Sequence, residues 1–215
     1  MIPIIDAGVK QKEGYEVSDE GLQNDYFCTY EDGTPFVGAV WPGRSYFPDF
    51  LRSDVRAWFG QKYHRFLDAG VEGFWNDMNE PALFYSENGI KKAFAEAERM
   101  KDINVGIHEF FHLREVFAAM SNSMEDYKSF YQSIDGKRIR HDKVHNLYGA
   151  FMTRAAGEGM QAHDANRRRL LFSRASYIGA HRYGGVWQGD NHSWWSHILL
   201  NLRMLPSLNM CGFLY

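Results

Sequence analysis

Gly73-Phe74-Trp75-Asn76-Asp77-Met78-Asn79-Glu80-Pro81 is an apolar run that ends in two carboxylates and an amide, with Pro81 closing it. A strand over about Val71–Asn76 delivers that polar cluster to its own C-terminal end. Upstream, Val55, Trp58, Phe59, Tyr63, Phe66 and Leu67 recur at helical spacing, which predicts a helix over about Ser53–Ala69 with one buried face. Ser53 reads as its N-cap and Gly70 as its stop. Further upstream, Ile2–Asp6 is a short strand closed by Ala7-Gly8, followed by a polar, Gly-rich stretch. Downstream, strands are expected at Leu170–Arg174, Gly184–Gln188 and Leu208–Phe213, with helices at about His145–Met160 and Ser193–Leu205.

Strand and helix in alternation argue for parallel βαβ units, an α/β chain. The strand ends are polar: Asp6, Asp77, Arg174 and Asp190. In a (β/α)8 barrel, chemistry sits on that face. A closed barrel takes eight strands and about 250 residues. Five strands in 215 residues therefore predict a partial barrel. The stretch from Pro81 to about Asp142 is too long for a βα loop and reads as a helical insertion. Helices are expected there near Ile90–Met100, Ile107–Met120 and Glu125–Gln132.

Composition narrows the function. A net charge of −3 gives no broad basic surface, so neither nucleic acid nor an anionic membrane is an expected partner. No apolar run reaches the length of a transmembrane helix. Met1 leads into Ile2-Pro3-Ile4-Ile5 without a basic n-region or cleavage site, so the expectation is no signal peptide and a cytoplasmic protein. Cys28 and Cys211 lie far apart and are expected to be reduced, with Cys211 a small core residue in an apolar strand.

Trp187-Gln188-Gly189-Asp190-Asn191 repeats the pattern around Asp77: indole, then a carboxylate at a strand end. Two such carboxylates can face each other across a sugar, as glycoside hydrolysis requires, and indole faces suit stacking on a pyranose. An Asp at a strand end also serves as a helix cap or loop acceptor, and the pattern alone leaves both roles open.

Trp75-Asn76-Asp77-Met78-Asn79-Glu80 and Trp187-Gln188-Gly189-Asp190-Asn191 resemble the two catalytic signatures of glycoside hydrolase family 31. Leu171-Phe172-Ser173-Arg174-Ala175-Ser176 resembles the segment that this family places ahead of its acid/base. The resemblance runs from Ile4-Ile5-Asp6 to Asn209-Met210-Cys211-Gly212-Phe213, outside the insertion at about 82–142. It implies that the chain covers about the third to the seventh strand of a catalytic TIM barrel. It implies a retaining α-glucosidase that removes terminal α-linked glucose from oligosaccharides, with Asp77 as nucleophile and Asp190 as acid/base. Arg174 would contact sugar hydroxyls; Trp41, Trp75, Met78 and Trp187 would line the pocket, with Asp6 in support. No metal or organic cofactor is implied. The family's β-sandwich and C-terminal β domains, its substrate-binding Asp on the preceding strand and its His on the following segment have no counterpart here. The rest of a full-length enzyme is thus an implied partner, and the isolated segment is expected to be inactive.

Other readings compete. His108-Glu109-Phe110-Phe111-His112 fits the zinc-peptidase pattern H-E-x-x-H, but a third ligand is needed and Glu115 stands where the metzincin extension requires Gly. A non-catalytic sugar-binding fragment, and a same-fold α-xylosidase or glucosyltransferase, are the remaining alternatives. Lys137-Arg138-Ile139-Arg140-His141-Asp142-Lys143 and Arg167-Arg168-Arg169 read as solvated loops.

Overall fold

The computed structural model describes residues 1–214. In chain order, the first half forms β1 (Ile4–Asp6), β2 (Val9–Lys10), α1 (Glu16–Gln23), β3 (Thr29–Tyr30), β4 (Val37–Val40), β5 (Gly43–Tyr46), α2 (Ser53–Lys62), α3 (His64–Asp68) and β6 (Gly73–Asp77). There follow β7 (Tyr85–Ser86), α4 (Glu87–Arg99), α5 (Ile107–Ala118), α6 (Met124–Tyr127), β8 (Phe130–Ile134) and β9 (Lys137–Arg140). The chain then forms α7 (His145–His163), β10 (Leu170–Ser173), β11 (Gly185–Val186) and α8 (Trp195–Met210).

The expected βαβ alternation is present as a parallel sheet in the order β1-β6-β10-β11. Sequential strands are neighbours, as in one arc of a barrel wall. On β6, Phe74 and Asn76 turn toward the helices: the Tyr63 ring meets Phe74 edge-on at 4.9 Å, and its hydroxyl donates to Asn76 Oδ1 at 2.7 Å. Trp75 and Asp77 point to the other face, as strand alternation requires.

Helices α2 and α7 back this sheet in unusually close contact. A Cβ on Gly60 would fall 2.5 Å from the Ala155 carbonyl oxygen, and one on Gly159 only 2.3 Å from that of Gly60. The two backbones touch because neither residue carries a side chain. The predicted single helix over Ser53–Ala69 is interrupted at Tyr63, and its N-cap is Arg52, with Ser53 already inside the first turn. Gly70 does stop it, at φ +88°.

Four further expectations are corrected. Leu208–Met210 is not strand but the last turn of α8, which ends at Met210 and is followed by Gly212 at φ +83°. A short apolar run does not distinguish strand from buried helix by its period. Beyond the helix, the Leu214 carbonyl accepts from Val186 N–H on β11 at 2.9 Å. Cys211 accordingly lies exposed in the turn, whereas Cys28 is buried; both thiols are free. The third insertion helix is one turn, α6, followed by the hairpin β8–β9 across Asp135-Gly136, both at positive φ. Asp-Gly between alternating residues is the type I′ hairpin signal, and it places Lys137–Arg140 in a strand, not a solvated loop.

The segment between β1 and α2 is more ordered than its composition implied. With β7 it builds the antiparallel sheet β2-β5-β4-β7, while β3 joins β8 and β9 in another. A continuous core of aromatic residues, including Phe36, Phe47, Phe50, Tyr63, Phe74, Phe130 and Tyr148, joins these sheets to α2 and α7. Among the described residues, no helix is long and apolar enough to cross a membrane.

Candidate active site

The site is built at the C-terminal ends of β1, β6 and β10. Parallel register sets Asp6 beside Asp77 and Ser173 beside Asn76. Arg174 follows directly, its backbone N–H bonded to the Asn76 carbonyl at 3.0 Å. Beyond Asp77 the chain turns sharply. Met78 adopts φ +53°, a left-handed conformation that costs an ordinary side chain about 1 kcal/mol or more. The turn lets Met78 N–H donate back to Asp77 Oδ1 at 2.8 Å. Met78 is itself buried, so core packing holds the strained residue in place.

Two polar contacts of the buried Asn79 side chain staple this turn to the C-terminal end of β10. Asn79 Nδ2 donates to Ser173 Oγ at 2.8 Å, and Ala175 N–H donates to Asn79 Oδ1 at 3.0 Å. The Arg174 guanidinium then spans the site. Its Nε and Nη2 donate to the two oxygens of Glu80 at 2.8 and 3.0 Å, and its Nη1 lies 3.0 Å from Asp77 Oδ1. Nη2 also approaches Met78 Sδ at 3.1 Å. Both contacts to Asp77 thus fall on Oδ1, and among the described residues no hydrogen bond engages Oδ2.

Electrostatics follow from this crowding. Burial alone pulls the Arg174 pKa down, but the bond to Glu80 and the charges of Glu80, Asp77 and Asp190 outweigh it and raise the value. Asp6 is pushed up, first by burial and then by the Asp77 charge, with Arg174 opposing. Asp190 sits on an exposed bend after Gly189, whose φ is +81°. Its charge bears on the same guanidinium that touches Asp77.

Of the residues singled out from sequence, Asp6, Asp77, Met78 and Arg174 come together by register and direct contact. Trp75 and Trp187 meet edge to face, ring centroids 4.9 Å apart, on the face that carries Asp77. Trp41, 72% exposed, makes its ring contact elsewhere, edge-on to Phe84 at 4.9 Å. Glu80 and Asn79 are the residues whose roles the sequence did not disclose. Both stand inside the quoted motif, but their partners lie on another strand.

The H-E-x-x-H segment lies on α5, away from this cluster in sequence and bonded to other groups. Glu109 caps the helix by accepting from Gly106 N–H at 3.0 Å, and His112 Nε2 is 2.7 Å from Glu96 Oε1. Arg99 first, then His112, holds Glu96 down to about 2. Among the described residues, no three His, Cys, Asp or Glu side chains converge as a metal site.

Comparison with known proteins matches residues 1–215 to the family model described as the glycosyl hydrolases family 31 TIM-barrel domain. Alpha-glucosidase 2 of Bacillus thermoamyloliquefaciens is 36% identical over 212 residues, 99% of this chain and 22% of that protein. An alpha-glucosidase of Saccharolobus solfataricus is 31% identical, over 99% of this chain and 28% of its own length. The family 31 alpha-glucosidase structure from Bacteroides thetaiotaomicron superposes with a TM-score of 0.65 at 27% identity, covering 99% of this chain and 28% of that one. The chain therefore spans about a quarter of the length of these relatives.

Proposed function

The chain belongs to glycosyl hydrolase family 31, and from that membership we propose that it is a segment of the catalytic (β/α)8 barrel of a retaining α-glucosidase acting on terminal α-linked glucose. In this reading residues 1–215 are one piece of that barrel, with an insertion at about 82–142. The strands β1, β6, β10 and β11 are its third to sixth, and the seventh starts near Leu214. The parallel order of the four strands supports the assignment. So does α8, which has no buried residue and exposes Ile198, Leu199 and Leu202, a face suited to cover by further barrel elements.

The observation that carries the proposal is the Arg174 guanidinium held between Asp77 and Glu80 within the field of Asp190. Asp77 attacks the anomeric carbon through its uncommitted Oδ2 while protonated Asp190 donates to the departing oxygen. The covalent glucosyl-enzyme is then hydrolysed by water that Asp190, now a base, activates. Trp75 and Trp187 offer apolar walls to the sugar; Arg174 and Asp6 are placed for its hydroxyls. The named activities of the alpha-glucosidase relatives support glucose at the cleavage point.

The test is made in the full-length protein that carries this chain. Asp77→Asn should abolish turnover of all substrates, since an amide is a far poorer nucleophile. Asp190→Asn should impair natural glucosides much more than aryl glucosides with good leaving groups. Equal losses on both substrate types would contradict the acid role, and full activity in Asp77→Asn would end the mechanism.

A further inference from the structure

The pairing of Arg174 poses a physical problem for a nucleophile. A guanidinium and a carboxylate are most stable as a fork, with two parallel N–H···O bonds engaging both oxygens. Such a fork on Asp77 would cover both of its oxygens and blunt attack. The structure holds the side-on fork elsewhere: Nε and Nη2 of Arg174 donate to Glu80 at 2.8 and 3.0 Å, Nη2 also donates toward Met78 Sδ at 3.1 Å, and Nη1 meets Asp77 Oδ1 at 3.0 Å.

We propose that Glu80 is a positioning residue for the reaction: by holding the Nε/Nη2 fork, with Met78 Sδ on the remaining Nη2 N–H, it confines Arg174 to one oxygen of Asp77 and leaves the other free to attack. The inference rests on the reading of Asp77 as nucleophile. The backbone is built for the task. The left-handed turn at Met78 reverses the chain so that Glu80 faces back toward Arg174, and Asn79 ties that turn to Ser173 and Ala175. On its far side, Tyr127 donates to the Pro81 carbonyl at 3.1 Å, so the turn is anchored from the insertion as well. With side chains 31% and 20% exposed, Glu80 and Arg174 form their fork largely out of water, where it holds its geometry.

The test uses the full-length enzyme and a fluorinated glucosyl fluoride, which transfers its sugar to the nucleophile and stalls there. Mass spectrometry follows the first-order rate and final stoichiometry of labelling at Asp77, and steady-state kinetics give kcat and KM on an aryl α-glucoside. In Glu80→Gln the side-chain amide accepts one N–H and repels the other, so Arg174 is released toward Asp77. Labelling rate and kcat are expected to fall about 100-fold, with full stoichiometry and KM within about threefold. A merely structural role would instead lower the labelled fraction at an unchanged rate, and that result overturns the proposal. So does wild-type labelling in Glu80→Gln. Because Glu80 acts through Arg174, the loss should not recur on an Arg174→Lys background, where no fork exists; additive losses also overturn it. Should Glu80→Gln not fold, Glu80→Asp decides, because its carboxylate is one methylene short: a labelling rate equal to wild type refutes the role. Asp77→Asn is the control. Labelling or turnover persisting there refutes the nucleophile reading itself, whereas a dead Asp77→Asn with a fast Glu80→Gln refutes this inference alone.

Discussion

Replacing Asp49 with Asn should make unfolding of the barrel less sensitive to pH. Asp49 lies just before α2, only 3% exposed, and its carboxylate accepts from Ser133 N–H at 2.6 Å and Leu51 N–H at 3.3 Å. The first of these bonds ties the β8–β9 hairpin of the insertion to the core. Burial pushes the Asp49 pKa up from 3.8 to about 7, against the pull of those bonds and of Arg52. The folded state therefore keeps this proton over a pH range in which the unfolded chain has lost it. The resulting stability is complete below about pH 4 and is lost as pH rises through about 7. At about 1.4 kcal/mol per pKa unit, the site should cost about 2–3 kcal/mol of stability between about pH 5 and pH 8. Asn is neutral throughout and keeps an oxygen for Ser133, giving up the longer bond to Leu51. Denaturant unfolding of the full-length wild type and of Asp49→Asn at those two pH values gives the comparison. The variant should lose about 2–3 kcal/mol of the wild-type pH dependence and gain relative stability at the higher pH. The same pH dependence in both proteins would refute the reasoning.

Gly159→Ala should destabilise the barrel by about 2–3 kcal/mol or more, because its Cβ would lie 2.3 Å from the Gly60 carbonyl oxygen and force α2 and α7 apart; an unshifted denaturation midpoint would show that the crossing has slack. A polypeptide confined to these 215 residues should not turn over an aryl α-glucoside, since four parallel strands leave open edges and α8 has no buried side chain. Activity of the purified, monodisperse segment that vanishes in Asp77→Ala would overturn that expectation.

What the sequence made legible was local. The run into Asp77, the stop at Gly70 and the long helix before Leu170 each rest on patterns a few residues wide, and each is present. The two-residue strands Val9–Lys10 and Tyr85–Ser86 are too short to carry a period, and they exist because β4 and β5 lie between them. Leu208–Phe213 failed for the opposite reason: its apolar run fits helix and strand equally, and the preceding turns of α8 decide the outcome. The Asp135-Gly136 hairpin was readable from its turn chemistry, but charge at Lys137–Lys143 drew the reading toward loop.

The site divides along the same line. Asp77 and Asp190 are marked by the indoles and glycines around them, whereas the role of Glu80 depends on Arg174, which lies 94 positions away. That contact is set by register: Phe172 opposite Trp75 and Ser173 opposite Asn76 bring Arg174 level with the turn after Asp77. A slip of one residue between β10 and β6 would turn alternate side chains to the opposite face of the sheet. It would break the Asn79 contacts to Ser173 and Ala175 together with the Arg174 fork. Register, the turn after Asp77 and the fork are therefore one structural decision. A variant that loosens the Asn79 staple should disturb Asp77 even though no hydrogen bond joins the two.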